Sequence, residues 1–398
     1  MAKKLVLDDE EFFDAEDGSA ESEDDLTGVS PASIGRVVVW GTDWTAATIV
    51  DQLRRGTIRL DPAFQRRDAW TDERKSRFIE SLFLGLPIPQ LVLAESDTGK
   101  GKFIVIDGKQ RLLSLSRFTG IGLSEGQIPL SLTGLKVRND LNGSTYASMQ
   151  REVKHENLLA EFENQSIRTV VIRDWKNEEV LYTIFHRLNT GSVPLSAQEL
   201  RQALHPGQFL SFAASFSEVS KPLQSLLGIS KPDFRMRDVE LLVRHFAFKL
   251  YLGQYKGNLK QFLDETCDKL NKVWDKDKDR LTEVGVNLNE SISSALKIFT
   301  TPNAFRMWDG SSFEKRPNRA IFDVLSYTLS DARIRTAALK QRSAVVEGFK
   351  RLCTDEEFRH SVTSTTKSKT AVRIRFRKWS KVLGDILKKK ITVPLPPE

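Results

Sequence analysis

The chain has 398 residues, 40% hydrophobic and 28% charged, with a net charge of +7, enough for a full core and about two domains at roughly 100–200 residues each. No apolar run nears the roughly 20 residues a membrane span needs. The opening MAKKLVLDDEEFF lacks the apolar stretch and cleavage site of a secretory signal, so a cytoplasmic protein is expected.

Residues 1–30 hold eleven acidic side chains against Lys3 and Lys4, a net −9 that leaves +16 on the remainder. This composition reads as an acidic disordered tail, which either merely solvates the chain or shields a basic surface. The basic body behind it points toward a polyanionic partner, nucleic acid or nucleotide phosphate. RVVVW (Arg36 to Trp40) predicts a short strand and TAATIVDQLRRG a helix stopped by Gly56. TIRLDPAFQRRDAW then runs extended through Pro62. From Asp72 to Leu84, Phe78, Ile79, Leu82 and Phe83 follow helical spacing until Gly85, Pro87 and Pro89. QLVLAE and KFIVIDG around SDTGKGK predict a hairpin. SIRTVVIRD reads as a strand, and NEEVLYTIFHRLN and AQELRQAL read as helices.

Beyond His205 the texture is helical throughout: RDVELLVRHFAFKLYLG, NLKQFLDETCDKLNKVW, ESISSALKIF and AIFDVLSYTLS each carry helical periodicity. A domain boundary is expected near Pro206. At the C-terminus, Val372, Phe376, Trp379, Val382, Leu383, Ile386 and Leu387 form a helical stripe, with Arg373, Arg377 and Lys381 in a column on another face. Eleven Lys/Arg against Asp385 between Arg359 and Lys390 leave two readings, a solvated face or a polyanion-contacting one. Cys267 and Cys353 give neither a disulfide framework nor a zinc knuckle and read as small core residues.

The strongest local signal is FIVIDGKQRLLSLSRF. A buried strand ends at Asp107-Gly108, and Leu112, Leu113, Leu115 and Phe118 supply the apolar face of a helix that starts at once. Backbone N–H groups around Lys109 to Arg111 then sit at a helix N-terminus, which attracts phosphate. Lys109 and Arg111 add charge, and Asp107 could hold a metal ion or orient water. The alternative is a turn in which Asp107 caps the helix and Arg111 pairs with a carboxylate. Further polar clusters are FHRLNTGSVPLSAQELR, with Arg187, Asn189 and Thr190 at a helix end, and PAFQRRDAW, with Gln65, Arg66 and Arg67. DTGKGK is not a Walker A loop, PDFRMRDVELL lacks the lysine of a metal-dependent nuclease, and the five histidines show no ligand spacing.

LDPAFQRRDAW, FIESLFLGLPIPQLVL, FIVIDGKQRLLSL and FHRLNTGSVPLSAQELR stand in the order seen in the N-terminal domain of GmrSD-type restriction endonucleases, which this chain resembles from about Trp44 to Leu204. The resemblance implies an α+β protein. A ParB/sulfiredoxin-like nucleotide-binding domain (31–205) follows the acidic tail (1–30), and an all-α domain (206–398) completes the chain. The family's Asp-Gly-Gln-Gln-Arg signature, tied to nucleotide binding and hydrolysis, falls on Asp107, Gly108, Lys109, Gln110 and Arg111. Lys109 replaces the usual glutamine, which favours phosphate attraction more than hydrolysis.

On this reading Asp107, Gln110 and Arg111 are catalytic, with Asp107 also the metal ligand. Gln65, Arg66, Gly108, Lys109, Arg187, Asn189 and Thr190 bind the nucleotide. The cofactors are an NTP (GTP, ATP or CTP) and Mg²⁺. No His-Asn-His nuclease motif follows Leu204, so a separate nuclease or effector subunit is expected, with DNA as the other partner; a homo-oligomer stays open. The rival is a non-catalytic DNA-binding or scaffolding protein that uses nucleotide only as a switch.

Overall fold

The computed structural model describes residues 30–35, 37–60, 67–96, 101–123, 126–175, 177–188 and 196–397. The acidic segment and the positions of Gln65, Arg66, Asn189 and Thr190 lie outside them. The protein is α+β and divides into two compact units, Leu26–Leu204 and His205–Glu398.

The first unit is built on a four-stranded mixed sheet. Its strands are β1 (Val38–Thr45), β2 (Leu91–Glu95), β3 (Phe103–Asp107) and β4 (Ser166–Arg173), in the order β1-β4-β2-β3. The β1–β4 and β2–β3 pairs are antiparallel and β2–β4 is parallel. Strand β1 runs past the expected stop at Trp40 because Val38 to Thr45 find partners from Arg173 back to Ser166. Pairing thus overrides the weak strand propensity of Gly41 and Asp43.

Alternation along β3 sends Phe103 and Val105 to one layer and Ile104 and Ile106 to the other. Burial on both faces explains why FIVI is an unbroken apolar run. The first layer comprises α1 (Ala46–Arg54), α2 (Asp72–Phe83), α3 (Lys109–Thr119) and α4 (Glu156–Asn164). Ile49, Ile79, Leu112, Phe118 and Phe162 form its core. The second layer holds α5 (Glu178–Leu188) and α6 (Ala197–Leu204), with Leu181, Phe185 and Leu200 against the sheet.

A buried carboxylate pins the long connection after α3. Glu80 on α2 accepts the backbone N–H groups of Lys136 (3.1 Å), Val137 (2.8 Å) and Arg138 (2.7 Å). Burial pushes this carboxyl up, but the three donors outweigh it and hold it below the usual carboxylate range.

The second unit contains α7 (Gln208–Val219), α8 (Lys221–Leu227), α9 (Arg237–Tyr251), α10 (Leu259–Phe299) and α11 (Arg319–Leu329). Helices α12 (Ala332–Lys340), α13 (Arg342–Cys353), α14 (Glu356–Thr363) and α15 (Lys369–Leu387) complete it. The two segments read separately as NLKQFLDETCDKLNKVW and ESISSALKIF are one helix, α10, of 41 residues. Gly285 does not end it. A Cβ there would stand 3.2 Å from Phe216 Cζ and 3.3 Å from Phe212 Cζ, so this glycine admits two rings of α7. Cys267 and Cys353 are buried free thiols, as expected. No helix among the described residues is long and apolar enough to cross a membrane.

Helix α9 is buried over most of its length, and it carries Arg244 and His245 into the core. Arg244 grips Asp323 of α11 with Nε (3.1 Å) and Nη2 (2.7 Å), and Arg375 of α15 adds Nη2 at 3.3 Å. Arg375 is therefore interior and not part of a basic face. Lys378 is also spent internally, 2.5 Å from Asp355 and 2.7 Å from Glu357, whereas Arg377 and Lys381 are exposed.

Two stability measurements follow from these buried groups. Glu80→Ala leaves three N–H donors without acceptors, and at roughly 1–3 kcal/mol per orphaned group a fall of about 10 °C or more in melting temperature is expected. A change under about 2 °C would show that water replaces the carboxylate. His245 has Nδ1 3.2 Å from Ser326 Oγ, and burial, aided by the Lys249 charge, pushes its pKa down to about 3. The folded protein keeps it neutral while the unfolded chain takes a proton below about 6.5. Its share of stability is thus full above pH ~6.5 and declines by about 1.4 kcal/mol per unit as pH falls toward 3. In urea titrations from pH 7 to 4.5, His245→Phe should show a shallower loss than the parent; parallel curves would contradict this.

Candidate functional site

The junction of β3 and α3 is made possible by one residue. Gly108 has φ 99° and ψ 11°, the left-handed conformation, which any side chain strains. A Cβ there would also meet Leu91 Cδ2 at 2.3 Å and Arg111 Nη2 at 3.1 Å. The strand therefore becomes a helix within a single residue. The N-cap residue of α3 is Gly108, which has no side chain to offer, and among the described residues the Asp107 carboxylate is hydrogen-bonded to Arg111 and not to the helix start. The backbone N–H groups of a helix's first turn have no partner within the helix itself, which makes helix starts attractive to anions.

The pairing expected in the alternative reading holds, because Arg111 does pair with a carboxylate. Its Nη2 donates to Asp107 Oδ2 at 2.8 Å and to the Gln90 carbonyl at 2.9 Å. Its Nε is buried without a hydrogen-bond partner among the described residues. The Asp107 side chain is 23% exposed, against 7% for Arg111. Asp107 thus lies at the solvent edge of the junction and Arg111 behind it.

Lys109 is deeper than its sequence context suggests. Its side chain is 4% exposed and its Nζ lies 2.5 Å from Glu199 Oε1, itself 3% exposed. Glu199 also accepts the Ser196 N–H at 2.7 Å through Oε2, while the Ser196 hydroxyl accepts the Glu199 N–H at 3.1 Å. That reciprocal arrangement is a capping box at the start of α6. One carboxylate thereby caps α6 and neutralises the lysine that opens α3. Gln110 turns another way, its Oε1 accepting the Trp70 N–H at 3.2 Å. The Trp70 carbonyl and Asp68 are held by Lys75 Nζ at 2.6 and 2.7 Å, and Arg67 is buried.

The structure thus brings Asp107, Gly108, Lys109, Gln110 and Arg111 together at one turn. Arg187 is exposed in the last turn of α5, a helix that packs against β3; Gln65, Arg66, Asn189 and Thr190 lie outside the described residues. Glu199 and the Gln90 carbonyl are participants the sequence did not nominate as partners. The S-x-x-E spacing of Ser196 and Glu199 was readable as a capping box, but nothing local linked it to Lys109, 90 positions earlier.

The turn fits an anion: it has a helix start with a glycine at its N-cap, a glycine cradle that a Cβ would fill and an Arg111 Nε with no hydrogen-bond partner among the described residues. For a divalent cation it offers less. No set of three acidic or histidine ligands gathers here among the described residues, so Asp107 could supply one oxygen and phosphate oxygens the others.

Residues 47–206 match the family model described as GmrSD restriction endonuclease, N-terminal domain. Comparison with curated proteins and with solved structures returns no match. The matched span runs from α1 through α6 and contains the whole β3–α3 junction with its Glu199 partner. The part of the chain that carries the candidate site is thus similar to the N-terminal domain of GmrSD restriction endonucleases.

Proposed function

We propose that this domain binds a nucleoside triphosphate at the β3–α3 turn and hydrolyses it. The protein then serves as the sensor or regulatory subunit of a restriction-type defence system, acting on DNA together with a separate effector nuclease. The family match supports the restriction role. The observation that carries the nucleotide reading is the helix start that Gly108 opens directly from β3, beside an arginine with one nitrogen committed to Asp107 and one without a partner among the described residues. Backbone N–H groups of Lys109 to Arg111 would take phosphate oxygens, and Arg111 would turn part of its fork from Asp107 to the ligand. Mg²⁺, when bound, would neutralise phosphate charge. Asp107 would hold the ion or orient water, and Gln110 would keep the Trp70 segment over the turn. Phosphoryl transfer depends mostly on such positioning and electrostatics.

One observation favours the switch reading instead. Lys109 and Arg111 are both already paired with carboxylates, which suits a clamp that senses nucleotide without breaking it.

Phosphate release from ATP, GTP and CTP with Mg²⁺, with and without DNA, separates the two. Asp107→Asn keeps an acceptor for Arg111 but removes the charge. It should retain the melting temperature within a few degrees and lower turnover about 100-fold or more, the scale of losing a key electrostatic group. Undiminished turnover would end the assignment of Asp107. Tight nucleotide binding by the parent protein with no turnover would establish the switch.

A further inference from the structure

In the helical unit, a cleft of about 420 Å³ is lined by Ala332, Arg333, Thr336 and Ala337, with Lys340 and Lys389. Three of these six residues are cations and none is acidic. Arg333 is 87% exposed at its side chain, and among the described residues the carboxylate paired with it is Asp331, at 3.5 Å. Lys340 and Lys389 are exposed too, and Lys340 has no carboxylate partner among the described residues.

The third cation is held in place by the backbone. After α15 the chain reverses through Lys388, at φ 50° in the left-handed region. The Lys389 N–H then bonds the Gly384 carbonyl at 3.0 Å, the usual way a helix end is closed. A Cβ on Gly384 would stand 2.8 Å from the Lys389 carbonyl oxygen, so this fold-back needs glycine. Lys389 Nζ then reaches the Arg333 carbonyl at 3.2 Å, which ties the C-terminal end of α15 to the start of α12. Lys388 and Lys390 flank it on the exposed side.

We propose that this cleft binds the phosphate backbone of duplex DNA. The inference rests on the DNA-acting part of the proposed function, but not on nucleotide hydrolysis. The lining decides the partner. Its floor is alanine and threonine, with no large apolar pocket, exposed strand edge or hydrophobic groove of the kind that receives peptides. No aromatic ring lines it, and single strands are held largely by stacking on such rings. What it offers is charge at fixed separations, which suits sequence-independent phosphate contacts.

Fluorescence anisotropy of a labelled 20-base-pair unmodified duplex against the full chain, over a salt series, tests this. The variant is Arg333→Gln/Lys340→Gln/Lys389→Gln, all surface changes. Its affinity is expected to fall at least tenfold, and the slope of log affinity against log salt to shrink by about 2.5, close to 0.9 per lost phosphate contact. Lys340→Arg alone should bind as the parent does. NTP turnover without DNA should be the same in all three proteins, which keeps this test separate from that of the β3–α3 turn. Equal duplex binding by parent and variant would overturn the cleft alone. No duplex binding by the parent would overturn the DNA reading with it. Stronger binding of a poly-Glu peptide or of the corresponding single strand, lost in the variant, would assign the cleft to another partner.

Discussion

A left-handed backbone at Gly108 lets β3 become α3 without an intervening loop, and the polar geometry of the first unit depends on that turn. Leu91 at the start of β2 presses against the side where a Cβ would lie, and the Arg111 guanidinium folds back over the same spot. Core and site are therefore one packing problem. Any side chain at position 108 would have to displace a buried leucine of the central sheet, and the displacement would carry Gln90, whose carbonyl holds Arg111. The start of α3 is fixed from behind by the hydrophobic core, an arrangement that would lower the ordering cost of binding a ligand there.

The second constraint is electrostatic. Lys109 and Glu199 have both left water, at a desolvation cost that good geometry and further hydrogen bonds must offset. Here they do, since the carboxylate meets the ammonium on one oxygen and a backbone N–H on the other. The consequence is a nearly neutral turn. Affinity for phosphate would come from backbone dipoles and from the unspent part of Arg111, not from loose lysines. Such a site discriminates by shape more than by net field, and its response to salt should be weaker than that of an exposed basic patch.

Most of the scaffold was legible from the residues, for identifiable reasons. FIVI and LVLA are buried on both faces and cannot be mistaken for surface. Gly85, Gly108 and Gly120 punctuate where the backbone turns left-handed. What the sequence concealed were long-range pairings. The full length of β1 depends on β4, more than 120 residues away. The continuity of α10 depends on two phenylalanines of α7 that explain Gly285. Arg375 sat in a run of eleven cations with no local sign that Asp323 would draw it inside. Within the site, the turn itself was readable, but the commitment of Lys109 was not, because its partner caps a helix in another layer.

These buried pairs also change what the charge of the chain means. The body's +16 is a net value that these pairs leave unchanged, but they fix where it is not expressed: Lys109 is answered by Glu199, Arg244 and Arg375 by Asp323, Lys75 by Asp68, and Lys378 by Asp355 and Glu357. The cations that survive matter more than the total. Arg333 and Lys340 stand on α12, and Lys389 on the fold-back after α15 that a backbone bond to Gly384 closes; among the described residues Asp331 is the carboxylate paired with Arg333. Their potential is therefore neither cancelled nor smeared by motion of a loose tail. Folding has thus sorted the basic residues into two populations, one paired with carboxylates of neighbouring elements and one left exposed, and linear sequence spacing does not distinguish them.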